Sequence, residues 1–186
     1  MSRAKDAINV AFVTLVQTYA YQELQVSQIV KLAGVARATF YLHFSTKEEL
    51  LLAYIDDIFQ RFYDDIESSL DDMSSFDERL AVKMFSLYEE ERAFSQLLTQ
   101  ADVQAKFYRR FQGYLSRLFG RILRNASGVK VAQHELPYLI DYCAGGSLAL
   151  LARWVENDFQ PSAEEMGASY YRITMSGMLN VLKGGA

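Results

Sequence analysis

Apolar residues recur at three- and four-residue spacing along nearly the whole chain, and they never alternate with polar ones over a strand length between turn signals. This pattern predicts an all-α fold. A first helix is expected from about 3 to 20, with Ile8, Ala11, Phe12, Leu15 and Tyr19 on one stripe. After a break at YQELQ, a short helix at about 27 to 33 offers Ile29, Leu32 and Ala33. Gly34 ends it, because glycine takes the left-handed conformation that lets a chain leave a helix sharply. The next helix begins only two residues later. Two short helices joined by a tight glycine-containing turn form a helix-turn-helix.

A fourth helix begins at FSTKEEL, where Ser45 with Glu48, or Thr46 with Glu49, can form a capping box, and it runs to about 70. DDMSSFDE breaks it. Further helices are expected at about 77 to 91, 93 to 100 and 103 to 125. After the loop NASGVKVAQHELP comes a helix at about 135 to 157, with Pro137 in its first turn. After NDFQPSAEE comes a last helix to about 182, capped by Ser162 and Glu165. No repeat or low-complexity linker interrupts the chain. The expected division is a helix-turn-helix domain, 1–46, and a larger helical domain, 47–186.

Composition removes several function classes. The single cysteine, Cys143, excludes an intrachain disulfide, and with only two histidines no common zinc site can be assembled. No metal and no cofactor are expected. No nucleophile–base pair or phosphate loop stands out, so an enzyme is not expected. No apolar run approaches the roughly 20 residues of a membrane span, and the N-terminus lacks a signal-peptide pattern, so the expected location is the cytoplasm. YEEER and the Asp56–Asp57 pair read as solvated faces. The net charge of −4 is unevenly spread. The first 50 residues set Arg3, Lys5, Lys31, Arg37 and Lys47 against Asp6, Glu23, Glu48 and Glu49. Since DNA affinity depends on charge at the contact, overall acidity neither supports nor excludes it.

The segment RATFYLHF, 37 to 44, is the most informative. At 100° per residue it falls into four i, i+4 pairs. Phe40 and Phe44 form the buried stripe, with Ala38 and Leu42 opposite. Arg37 and Tyr41 flank one edge, and Thr39 and His43 the other. A small apolar centre flanked by donors suits a major groove: Ala38 and Leu42 toward thymine methyls, Arg37 toward guanine, and Tyr41, His43 and Thr39 toward phosphates. Lys47, beside free N–H groups and the hydroxyls of Ser45 and Thr46, offers a further phosphate contact.

VSQIVKLAGVARATFYLHFSTKEELL, 26 to 51, resembles the helix-turn-helix region of the tetracycline-repressor-like (TetR) family of bacterial transcriptional regulators, most closely in AGV, TFYLHF and KEELL. GSLALLARWVENDFQPSAEEM resembles the C-terminal part of one branch. The resemblance implies a homodimer that binds a near-palindromic double-stranded DNA operator and usually represses transcription. By motif, Arg37, Ala38, Thr39 and Leu42 would face bases, and Ser27, Tyr41, His43 and Lys47 the DNA backbone. Three positions depart from the family pattern: Ala36 and Gln25 stand where hydroxyl caps are common, and Val30 replaces a frequent alanine.

The resemblance assigns the remaining helices to an effector pocket and a dimer interface. Phe85, Tyr88, Phe107, Phe111, Tyr114, Tyr142 and Trp154 would line the pocket, for an apolar or aromatic small molecule. The small residues of CAGGSLA, Gly146 among them, would let two helices approach. Leu139, Leu150, Tyr171, Met175 and Met178 would complete a four-helix seam between protomers. Control by a protein partner, or a helical carrier or adaptor without specific DNA binding, are the competing readings.

Overall fold

The computed structural model describes residues 3–70, 78–125 and 134–182, with side chains described except at 65–70, 101, 122–125 and 175–182. These residues form nine helices: α1 (Arg3–Val16), α2 (Val26–Ala33), α3 (Arg37–His43), α4 (Lys47–Leu70), α5 (Glu78–Glu90), α6 (Arg92–Leu98), α7 (Ala101–Asn125), α8 (Leu136–Glu156) and α9 (Ala163–Leu182). Among the described residues there is no strand. The breaks expected at 71–78 and 125–137 fall largely outside the described residues.

The first three helices fold around one apolar knot. Ile8 and Phe12 of α1, Ile29 of α2, Phe40 of α3 and Leu50 of α4 are all fully buried, and Phe44 joins them. α1 is shorter than its apolar pattern implied. Its buried row is Ile8, Ala11, Phe12 and Val16, and Tyr19 lies beyond its end, 41% exposed. On α2 the expected Leu32 is 51% exposed. The buried row instead runs through Ile29, with Val26, Val30 and Ala33 packed beside it. Gly34 takes φ 65°, and its N–H and that of Val35 bond back to the carbonyls of Lys31 and Val30.

Capping sets the entry of each helix. At Gln25, which stands where a hydroxyl cap is common, the Gln28 Oε1 accepts from the Gln25 N–H at 2.7 Å, and the Ser27 hydroxyl donates to Gln25 Oε1 at 3.4 Å. α4 opens with Thr46 Oγ1 accepting from the Glu49 N–H at 3.0 Å. The Glu49 carboxylate accepts from the Ser45 N–H at 2.7 Å, which holds that carboxyl below its usual range. At α9 the Ser162–Glu165 box forms in both directions, at 3.2 and 3.3 Å.

In the larger domain α9 lies against α5 so closely that a Cβ built on Gly167 would stand 2.4 Å from Val82 Cα. Trp154 fills the core between Phe85 (5.4 Å) and Phe159 (5.0 Å), and its Nε1 donates to the Pro161 carbonyl at 2.6 Å. Ser147 Oγ donates to the Cys143 carbonyl at 2.6 Å and lies 2.8 Å from the Tyr170 hydroxyl. Burial pushes the Cys143 thiol up to about 12, and the Tyr170 hydroxyl to about 12. Both groups hold their protons more tightly folded than unfolded. Their contribution to stability is therefore complete below the unfolded thiol value and is lost as pH rises toward 12. Iodoacetamide should accordingly leave Cys143 unmodified in the native protein at pH 8. Mass spectrometry should find alkylation that follows the unfolding transition; native labelling at the rate of a free thiol would refute the burial.

Candidate functional site

α3 presents two faces. Phe40 is fully buried and Phe44 nearly so, anchoring one side on the knot. Arg37 and Ala38 are exposed, Leu42 is 81% exposed and Tyr41 47%, while Thr39 and His43 are half-buried at the flank. The apolar Leu42 therefore stands in water on the face opposite the anchors. The Arg37 guanidinium donates to the Tyr41 hydroxyl at 3.2 Å, so these two form one edge as a unit. The wheel drawn from the sequence matches this partition. Ser27, on α2, is also exposed.

Lys47 is different, and the reading of it as a phosphate donor needs correction. Its Nζ donates to the carbonyls of Tyr21 (2.6 Å) and Leu24 (2.7 Å), with Gln22 at 3.4 Å, and sits 4.2 Å from the centre of the Tyr21 ring. An ammonium has three protons. Here they are committed to main-chain carbonyls of the α1–α2 connection, so Lys47 braces the head. The sequence hid this because its partners are main-chain atoms 23 to 26 residues away.

Besides the chain itself and the packing of α1 on α6, polar contacts tie the head to the larger domain. The Tyr21 N–H donates to Gln100 Oε1 at 2.8 Å, just before α7, and Lys106 of α7 pairs with Glu48 of α4 at 3.1 Å. Further along, α4 and α7 meet again: the Tyr114 hydroxyl donates to Asp56 at 2.7 Å, and Arg110 pairs with Asp56 at 3.4 Å. Burial first, and then the bonded Asp56, hold the Tyr114 hydroxyl far above its usual range. Both helices that carry the head thus also wall the space between them.

That space is a narrow apolar cleft with about 30 Å³ of free volume, lined by Phe59, Phe62 and Tyr63 of α4, Leu80 and Met84 of α5, Phe111, Tyr114, Leu115 and Leu118 of α7, and Tyr170. Such a volume admits about one water. Of the seven expected pocket residues, Phe111 and Tyr114 line it. Phe85, Tyr88, Phe107 and Trp154 are instead core: each is buried, with Phe107 stacked on Phe111 at 5.4 Å. Tyr142 is 60% exposed and faces away from the interior. The α4 lining was legible in principle, since Phe59, Phe62 and Tyr63 sit at i, i+3 and i+4.

The seam residues also redistribute. Leu139 is buried within its own chain, and Tyr171 and Leu150 are half-buried against the core. The outward row of α8 is Tyr138 (73% exposed), Tyr142, Gly145, Gly146 and Ala149. A Cβ at Gly145 or Gly146 would meet nothing within 4 Å, so neither glycine is required for packing inside the chain. The side chains of Met175 and Met178 lie outside the described residues.

Among the described residues no group of acids, histidines and cysteine could hold a metal, and no helix is long and apolar enough to cross a membrane.

Comparison with known proteins gives two family matches. Residues 11–54 match the family described as "Bacterial regulatory proteins, tetR family", and residues 77–176 match "Transcriptional regulator C-terminal region". The chain is 25% identical over 181 residues to the fatty acid metabolism regulator protein of Bacillus subtilis (strain 168), covering 91% of this chain and 93% of that protein. The fold is similar to that of the fatty acid degradation regulator FadR from Bacillus halodurans, with a TM-score of 0.64 and 20% identity over 96% of this chain and 97% of that one. It is also similar to FadR from Bacillus subtilis, crystallised with stearoyl-CoA, with a TM-score of 0.63 and 20% identity over 92% and 97% of the two chains.

Proposed function

The chain belongs to the tetR family of bacterial regulatory proteins, and from that premise we propose that it is a cytoplasmic, dimeric repressor whose operator is read by α3 and released when a long acyl ligand enters the cleft between α4 and α7. The observation that carries this reading is the two-faced α3: Phe40 and Phe44 lock it to the head while Arg37, Ala38 and Leu42 stand in solvent. Arg37, Ala38, Thr39 and Leu42 are assigned to base edges, and Ser27, Tyr41 and His43 to the DNA backbone, with Lys47 as their structural brace.

The domain border is placed at residues 46 and 47, where α4 leaves the head. The protomers are assigned to meet along the outward row of α8, where Tyr138 and Tyr142 form an exposed apolar surface beside two glycines with room above them. Gly146→Arg puts a long charged side chain on that row without touching the fold. It is expected to give a folded monomer by sedimentation and circular dichroism, with a melt that no longer depends on protein concentration; a stable dimer would move the interface elsewhere.

The cleft supports an apolar ligand because its walls are aromatic and aliphatic, and stearoyl-CoA is the molecule crystallised with the Bacillus subtilis FadR. The cleft is nearly closed, so a chain of methylenes requires α4 and α7 to part. Both helices hold the head, and their parting would change the spacing of two heads in a dimer. Ligand and DNA then oppose each other through differential affinity for two states.

The experiment is selection of sheared genomic DNA from the source organism on the purified protein at about 0.15 M salt, beside an Arg37→Ala/Tyr41→Phe variant. A few fragments sharing a palindrome should be retained by the native protein and lost by the variant. Flat retention, equal for both proteins, would leave only an adaptor or carrier.

A further inference from the structure

The head meets the larger domain through an apolar joint. The Tyr54 ring of α4 sits edge-on between Phe12 of α1 (5.8 Å) and Phe94 of α6 (5.6 Å), and α1 packs on α6 beside it. Phe12 and Phe94 are fully buried. Apolar attraction scales with the area buried and has no direction. Such a joint resists separation of the two parts more than it resists rotation of one on the other.

A directional contact is needed to fix the angle, and two polar links lie beside the joint. Lys106 pairs with Glu48 at 3.1 Å, with the Glu48 side chain 51% exposed. Two long side chains meeting at the surface make a soft link. The Tyr21 N–H instead donates to Gln100 Oε1 at 2.8 Å in a partly buried setting. A hydrogen bond weakens steeply as it leaves linear geometry, so this one pins an angle.

Both ends of the pin are rooted. On the head side, Tyr21 lies in the α1–α2 connection, which the Lys47 ammonium ties to α4 through the carbonyls of Tyr21 and Leu24. The connection therefore moves with the head as one piece. On the other side, Gln100 stands between α6 and α7. Its N–H donates to the Leu97 carbonyl at 3.2 Å. Its own carbonyl accepts from Val103 at 3.0 Å and Gln104 at 2.9 Å, in the first turn of α7. The Gln100 main chain thus belongs to both helices. Two heads reading one duplex must reach half-sites about one helical turn apart, and one base pair more or less displaces a half-site by about 3.4 Å and turns it by roughly 35°. A head free to swivel follows that change; a pinned head does not.

We infer that Gln100 is the positioning residue that sets operator spacing, its bond to the Tyr21 N–H making the protein reject half-sites moved by one base pair. It acts through the orientation of the head and touches no DNA itself. This rests on the operator-reading proposal above, and the test separates the two. The selected palindrome would be remade with one base pair inserted or removed at its centre. Anisotropy would give the affinities of the native protein, Gln100→Leu and Gln100→Glu for the three duplexes and for a single half-site. One hydrogen bond is worth roughly 2- to 13-fold and a dimer has two such pins, so the native protein should bind the altered spacings at least about tenfold more weakly than the parent. Gln100→Leu fills the space without an acceptor. It should bind the parent duplex and the half-site within about threefold of the native protein, and its spacing penalty should shrink to about threefold or less. Gln100→Glu retains an acceptor oxygen and should keep the native penalty, a rescue that a merely space-filling role would not produce. Gln100 is half-buried, so water can reach the freed N–H, and a circular-dichroism melt should find Gln100→Leu folded. Without any substitution, the Tyr21 amide of the native protein should exchange slowly with deuterium. An undiminished spacing penalty in Gln100→Leu, a native protein indifferent to spacing, or fast exchange at Tyr21 would overturn the pin and leave operator reading in place. Failure of the native protein to retain any palindrome would overturn both.

Discussion

Leu42→Glu is expected to abolish operator binding while leaving both the fold and the dimer intact. Leu42 is 81% exposed and packs on nothing that the head needs, so the substitution should change stability by no more than about 0.5 kcal/mol. On DNA the same position lies at the centre of the reading face. A carboxylate there replaces an apolar contact with a charge among base acceptors and between two phosphate backbones. Arg37→Ala removes the donor pair assigned to guanine. A good bidentate contact discriminates by about 1–3 kcal/mol, and a dimer carries two heads, so the total is roughly 2–6 kcal/mol if they act independently. Fluorescence anisotropy on a selected operator would read both changes, with a thermal melt as the folding control. Leu42→Glu binding within a few-fold of the native protein would mean that α3 does not enter the groove.

Gly167→Ala carries the largest expected cost to stability. The added methyl would stand 2.4 Å from Val82 Cα and 2.7 Å from Val82 N. These are backbone atoms, so no rotamer change relieves the clash, and α5 and α9 must separate along their shared length. Overpacking typically costs about 1–3 kcal/mol, and a main-chain obstacle places this case at the upper end. For a chain of this size each kcal/mol is worth roughly 2–4 °C, so a cost of about 3 kcal/mol lowers Tm by roughly 6–12 °C. Val82→Ala in the same chain should not restore it, because the Val82 side chain is only one of the three obstructing atoms. Full rescue by that double variant would show that the obstacle is the side chain and not the main chain.

How much of this was legible depends on the range of the interaction. The helix pattern, the Gly34 turn, the Ser162–Glu165 box and the partition of α3 are set by residues within one or two turns, and the sequence alone specified them. The corrected positions are those where the partner lies far along the chain. Lys47 looked free because three main-chain carbonyls of the α1–α2 connection carry no sequence signature. Gly167 looked ordinary because its neighbour is Val82. Tyr142 and Leu139 lie three residues apart on one helix, close enough in angle that periodicity could not say which faces a partner and which the core. Aromatic residues posed the same difficulty. Phe85, Tyr88, Phe107 and Trp154 have the spacing of a pocket wall and fill a core, because the two differ only in what the facing helix supplies.

The cleft and the head are linked through α4 and α7, by Asp56, Tyr114 and Arg110 at one end and by Glu48 and Lys106 at the other, beside the Tyr21–Gln100 bond and the packing of α1 on α6. The central claim is that filling the space between these helices releases DNA. The direct measurement is anisotropy of a labelled operator bound by the native protein and titrated with palmitoyl-CoA. The account predicts a fall to the value of free DNA, at a ligand concentration that rises as more operator is added, since ligand and DNA favour opposite states. Anisotropy that holds at the bound value with the ligand demonstrably seated in the cleft would contradict it.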